Sequence, residues 1–156
     1  MHISFVLHAL NSMRKTVDFL LVLSHNRRMK AITIWQPYTE AIKQGLKTYE
    51  TRSWATKYRG PIVIHASKKA MSKHELLLAQ KYHIDIPKHQ FGSPVLICEL
   101  QDCVLIDELL LKQQPITELD FGDWRIGRYA WKLNIIKILD NQPIIRGQQG
   151  LWNINI

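Results

Sequence analysis

The chain has 156 residues, enough for one compact domain with a substantial core. Hydrophobic residues make up 46% and charged residues 22%, which excludes disorder as the dominant state, and no apolar run approaches the ~20 residues a membrane helix needs. Lys+Arg number 21 against 13 Asp+Glu, a formal net charge of +8, so long-range attraction favours polyanionic partners such as nucleic acid or nucleotides.

Residues 1–28 contain no Gly or Pro and hold two apolar patches split by Arg14 and Lys15. A secretory signal would place its basic residues first and end at a small-residue cleavage site. That order is absent. The segment is expected to be an N-terminal extension, either helical or arising from an upstream start codon, and residues 29–156 the domain. Cys98 and Cys103 are too few for a disulfide scaffold and fit a reducing compartment, so a cytoplasmic location is expected. With no dense Cys/His cluster, neither a metal nor a cofactor is expected.

Residues 30–34 read as a strand. Trp35 and Gln36 form a loop, and Pro37 suits a first helical turn because no amide donor is needed there. The helix runs through Tyr38, Ala41 and Ile42 and stops at Gly45, which tolerates a left-handed cap. Thr48–Trp54 reads as a strand, Tyr58-Arg59-Gly60-Pro61 as a turn and Ile62–His65 as a buried strand. Ser72-x-x-Glu75 is a capping box that opens a helix. Residues 94–104 form a strand, Asp107–Lys112 a short helix and Tyr129–Leu139 a long strand. Gly147 and Gly150 bracket a turn into a last strand, Leu151–Ile156. Several strands with a few short helices predict a small α+β barrel.

The densest polar constellation runs from Gly45 to Trp54. Strand alternation places Thr48, Glu50 and Arg52 on one face, with Lys47 at the entry. There an acid meets two bases. Glu50 can accept hydrogen bonds from an amino-bearing base or take a proton, and Lys47 can serve as general base or electrostatic catalyst. An ordinary cross-strand ion pair is the alternative. Trp35, beside a helix start, can stack a base or plug the end of the barrel. His65, Ser67 and Lys68 end a buried strand, where they line a phosphate-sized pocket or serve as an interior His and solvated neighbours. Arg59 and Arg146 are candidate phosphate contacts. Cys98 and Cys103 read as packing residues.

Three stretches carry a resemblance: Ile34-Trp35-Gln36-Pro37-Tyr38, Gly45-x-Lys47-x-x-Glu50-x-Arg52-Ser53-Trp54, and Tyr58 through Lys68. With Leu100-x-Asp102-Cys103, Gly127-x-Tyr129-Ala130-Trp131 and Arg146-Gly147-x-x-Gly150-Leu151-Trp152, they resemble the ASCH family, a branch of the PUA-like superfamily. The resemblance covers residues 30–152. It implies a PUA-like β-barrel flanked by short helices, with a cleft beside the Gly-x-Lys-x-x-Glu-x-Arg motif that binds RNA or a modified nucleoside or nucleotide. Carried over, that cleft holds Trp35, Gln36, Pro37, Lys47, Glu50, Arg52, His65, Ser67, Lys68 and Tyr129. Some small members of the family are amidohydrolases that remove the acetyl group of 4-acetylcytidine with a Lys, a Thr and a Glu. Lys47 matches their lysine, but Glu50 stands where they carry Thr. Thr48 shares the predicted Glu50 face and is the candidate substitute. The alternative expectation is therefore a metal-independent amidohydrolase on acylated cytidine, or a ribonuclease, using Lys47 and Glu50.

Overall fold

A computed structural model describes residues 28–156. The extension expected over residues 1–28 lies outside them, save Arg28, which opens the first strand. Among the described residues, six strands form one mixed sheet: β1 (Arg28–Ile34), β2 (Tyr49–Arg52), β3 (Gly60–Ala66), β4 (Pro94–Leu105), β5 (Tyr129–Ile138) and β6 (Leu151–Asn155). Four short helices accompany it: α1 (Tyr38–Lys43), α2 (Lys73–Lys81), α3 (Glu108–Lys112) and α4 (Ile116–Asp120). The strand order is β2-β5-β4-β3-β1-β6. The α+β class is as expected.

The core explains why the central strands read as continuous apolar runs. Along β1, Ile32 and Ile34 join one buried cluster with Ile62, Ile64, Leu96 and Trp131. Ala31 and Met29 join a second with Val63, Ile97, Trp152 and Ile154. Alternate residues thus bury on opposite faces, and both faces are covered. β1 runs parallel to β3, pairing Thr33 with His65, and antiparallel to β6.

Among the described residues the strand ladders do not close the sheet into a barrel, so the expected barrel is not shown. β2 is only four residues long and pairs with β5, Glu50 lying opposite Trp131 and Arg52 opposite Tyr129. Towards β1 it makes a side-chain bridge instead of a ladder: Arg52 Nη2 donates to the Thr33 carbonyl at 3.1 Å. Thr33 lies beyond the last β1–β6 pair, Ile32 with Leu151, so its carbonyl is open to this contact.

The other departures are local. The strand expected over 48–54 is limited to Tyr49–Arg52, and β3 begins at Gly60, inside the expected turn. The capping box at Ser72 and Glu75 is present, and Asp107 caps α3. Helix α4 has no counterpart in the sequence reading, because a single turn of five residues has too little periodicity to recognise. Cys98 is buried in β4, where desolvation pushes its thiol up to about 12. Cys103 is half-buried, and its Sγ accepts from the Thr56 amide. Among the described residues no helix is long and apolar enough to cross a membrane, and no His/Cys/Asp/Glu group is placed to hold a metal.

Candidate functional site

A cavity of about 700 Å³ opens between the end of β1, the start of α1, strand β2 and the loop after α4. Its size suits a nucleoside-sized ligand. Its floor is built by the turn that follows α1. Gly45 takes φ +75°, in the left-handed region, and reverses the chain. The amides of Leu46 and Lys47 then both donate to the Ala41 carbonyl. This fold-back carries Lys47 inward until it is only 2% exposed. Its Nζ donates to the Phe121 carbonyl at 2.7 Å and lies 3.3 Å from Glu50 Oε2. The other Glu50 oxygen lies 2.9 Å from Arg52 Nε. That contact is an ion pair without hydrogen-bond alignment, since the Nε–H finds no acceptor. Lys47, Glu50 and Arg52 therefore form one connected charge group, with Glu50 in the middle. Removing either ion of such a buried pair leaves its partner uncompensated, so the three side chains hold each other in place.

Aromatic side chains line one wall. Trp35 stands at the rim, 48% exposed, with Tyr38 and Trp54 deeper. Desolvation raises the Tyr38 hydroxyl above its ordinary pKa, and the Glu75 and Glu50 charges add to the shift. Tyr38 is thus a neutral phenol at pH 7, able to donate or accept. The facing wall comes from Asp120, Phe121 and Asp123, with His74, Arg128 and Gln148 around it. Hydrogen bonds from Lys81 and then Tyr82 hold Asp120 below the usual carboxylate range. Arg125, aided by the Arg128 charge, does the same for Asp123. Both are anions, so the cavity presents charges of both signs.

Two contacts lock this wall to the floor. The Asp123 amide donates to Thr51 Oγ1 at 2.9 Å. The buried Glu118 carboxylate accepts from the Thr48 amide, the Thr48 hydroxyl and the Tyr49 amide. Thr48 is consequently turned towards α4 and does not line the cavity. It lies one residue before β2, where strand alternation no longer dictates its direction.

Of the expected site residues, Trp35, Lys47, Glu50 and Arg52 come together in the cavity. The others lie elsewhere. Gln36 is buried beneath α1, its Oε1 accepting from the Glu40 amide, and Pro37 follows it through a cis peptide. His65 is buried: its Nε2 meets the Ile145 carbonyl at 2.9 Å, and its ring lies edge-on to Trp152. Burial pushes its pKa down, so the ring is neutral, with the Nε2 proton donated to Ile145. Ser67 accepts from the Lys69 amide. The Lys68 stem lies against Gly92. Tyr129 packs on the core beside β2. Arg59 pairs with Asp102 and with the carbonyls of Thr56 and Tyr58. Arg146 is exposed in the loop before β6.

Sequence reasoning missed Tyr38, His74, Asp120, Asp123 and Arg128. The polar turn Asp120-Phe121-Gly122-Asp123 is the one signal that could have pointed to this wall. It also missed Lys69, whose Nζ sits 3.2 Å above the centroid of the Trp35 ring. In comparison with known families, the model of the ASCH domain matches residues 32–142, a span that includes the whole cavity floor. No curated protein matches the chain by sequence.

Proposed function

The chain belongs to the ASCH domain family, and from that premise we propose that it binds RNA or a modified nucleotide, with one base in the cavity beside Lys47, Glu50 and Arg52. The observation that carries this reading is an exposed Trp35 at the mouth of a nucleoside-sized cavity whose floor is a carboxylate between two cations. Trp35 supplies a stacking surface. Glu50 keeps lone pairs beyond those facing Lys47 and Arg52, and these suit the amino group of a base. The Tyr38 hydroxyl offers a further neutral donor. Phosphates belong outside, with the exposed Lys68 and Arg146. Arg59 is committed to Asp102 and serves this reading less.

Titration of labelled single-stranded RNA tests the reading. Trp35→Ala is expected to weaken binding by ~1–3 kcal/mol, and affinity is expected to fall steeply with salt. Salt-independent binding that Trp35→Ala leaves unchanged would overturn it.

A second reading, hydrolysis of an acylated cytidine, is favoured by the Lys47 amine lying against Glu50 in the cavity floor. It has no hydroxyl nucleophile at Thr48, which is committed to Glu118. The same protein incubated with 4-acetylcytidine is the direct assay: release of cytidine that disappears in Lys47→Ala would establish the hydrolase.

A further inference from the structure

Trp35 is unusual among the aromatic residues of the site in being half exposed while its backbone is held from two directions. Its carbonyl accepts from the Thr39 amide at 3.2 Å and the Thr39 hydroxyl at 3.3 Å. The preceding carbonyl, of Ile34, accepts from the Ser67 amide at 2.8 Å. The main chain is therefore fixed, whereas an exposed indole on a rim would ordinarily keep its rotamer freedom. Lys69 changes that. Ser67 Oγ accepts from the Lys69 amide at 3.1 Å, which fixes the start of the lysine side chain on the same loop that anchors Ile34. Its Nζ lies 3.2 Å over the Trp35 ring. Among the described residues no carboxylate forms an ion pair with Lys69, so the indole face is the partner the structure gives it. Trp35 lines the cavity and Lys69 does not.

We propose that Lys69 is a positioning residue for base stacking: its ammonium holds the Trp35 indole by a cation–π contact so that the ring is presented to a base at the cavity mouth. This inference rests on the nucleotide-binding reading. The physical consequence is preorganisation. Without Lys69 the indole regains its freedom, and the ligand must order it on binding, which lowers affinity without removing any direct contact.

The charge of the ligand separates this role from a plain phosphate contact. The experiment compares wild type, Lys69→Met, Lys69→Arg and Trp35→Ala with cytidine and adenosine, which are uncharged, and with their 5′-monophosphates. Binding is followed by NMR titration of the full chain. A single exposed cation–π contact sets the expected scale: Lys69→Met weakens nucleoside and monophosphate alike by roughly 2–5-fold, and Lys69→Arg restores both. In the free protein, the Lys69 ε-methylene protons are expected upfield from the Trp35 ring current and return to ordinary shifts in Trp35→Ala. Weaker binding of the monophosphates alone would make Lys69 a phosphate contact and overturn the proposal, as would unchanged binding of both. If Trp35→Ala loses affinity while Lys69→Met does not, only the role of Lys69 falls. If the wild type binds none of the four ligands and no RNA, the nucleotide-binding reading falls and this inference with it.

Discussion

His65 shows how a residue type that suggests chemistry can be spent on the fold. It lies one residue from the end of a buried strand, where site residues often sit, yet its ring bonds the Ile145 carbonyl and packs on Trp152. Burial lowers its pKa below the ordinary 6.5, with the Lys68 charge acting in the same direction and backbone hydrogen bonds opposing. The unfolded chain therefore takes up the proton at a higher pH than the folded one. Stability contributed by the neutral ring is complete above pH ~6.5 and is lost as pH falls from there through the folded value. His65→Gln is expected to flatten the fall in unfolding free energy between about pH 7 and pH 5, measured by urea denaturation across that range. At this scale the sequence was informative where chain direction follows simply from backbone geometry. Strand alternation puts Glu50 and Arg52 on one face with Lys47 at the entry, and the Gly45 turn then carries Lys47 inward to them. The same alternation misplaces Thr48, which lies one residue before β2 and turns to Glu118, and the loop residues Ser67, Lys68 and Arg146 follow no such rule.

Helix α4 was invisible in the sequence, yet it braces the floor of the site. Its Glu118 satisfies two backbone amides at the entry to β2, and the residue that follows its last turn, Phe121, supplies the carbonyl that holds Lys47. Trp124 Nε1 in turn donates to the Glu118 carbonyl. A five-residue helix has no stability of its own, so it exists through these tertiary bonds and leaves little periodic trace. Glu118→Ala is expected to cost about 1 kcal/mol for each hydrogen bond lost at these partly buried amides. Denaturant unfolding would show the loss, and hydrogen exchange at Thr48 and Tyr49 would accelerate more than at the core of β4. By contrast β4 and β5 were legible to within a residue and β1 and β3 to within two, and β1, β3 and the first half of β4, buried on both faces, announce themselves as apolar runs.

For the molecule as a whole, sequence specified the number and kind of elements better than their closure. Whether a sheet closes depends on which edges meet, and β2 and β6 carry nothing local that decides it. The Arg52 bridge to Thr33 spans the opening with one side chain, so the same residue serves the sheet and the cavity floor. The two cysteines give this arrangement a chemical readout. Cys98, central in β4 with its thiol pushed up to about 12, offers almost no thiolate at neutral pH while the protein is folded. A maleimide in excess is expected to modify Cys103 first, by local opening, and Cys98 only as fast as the whole sheet comes apart, resolved as two mass increments with separate rate constants. The central strand thus carries its own clock, and alkylation of its thiol times how long a molecule stays folded.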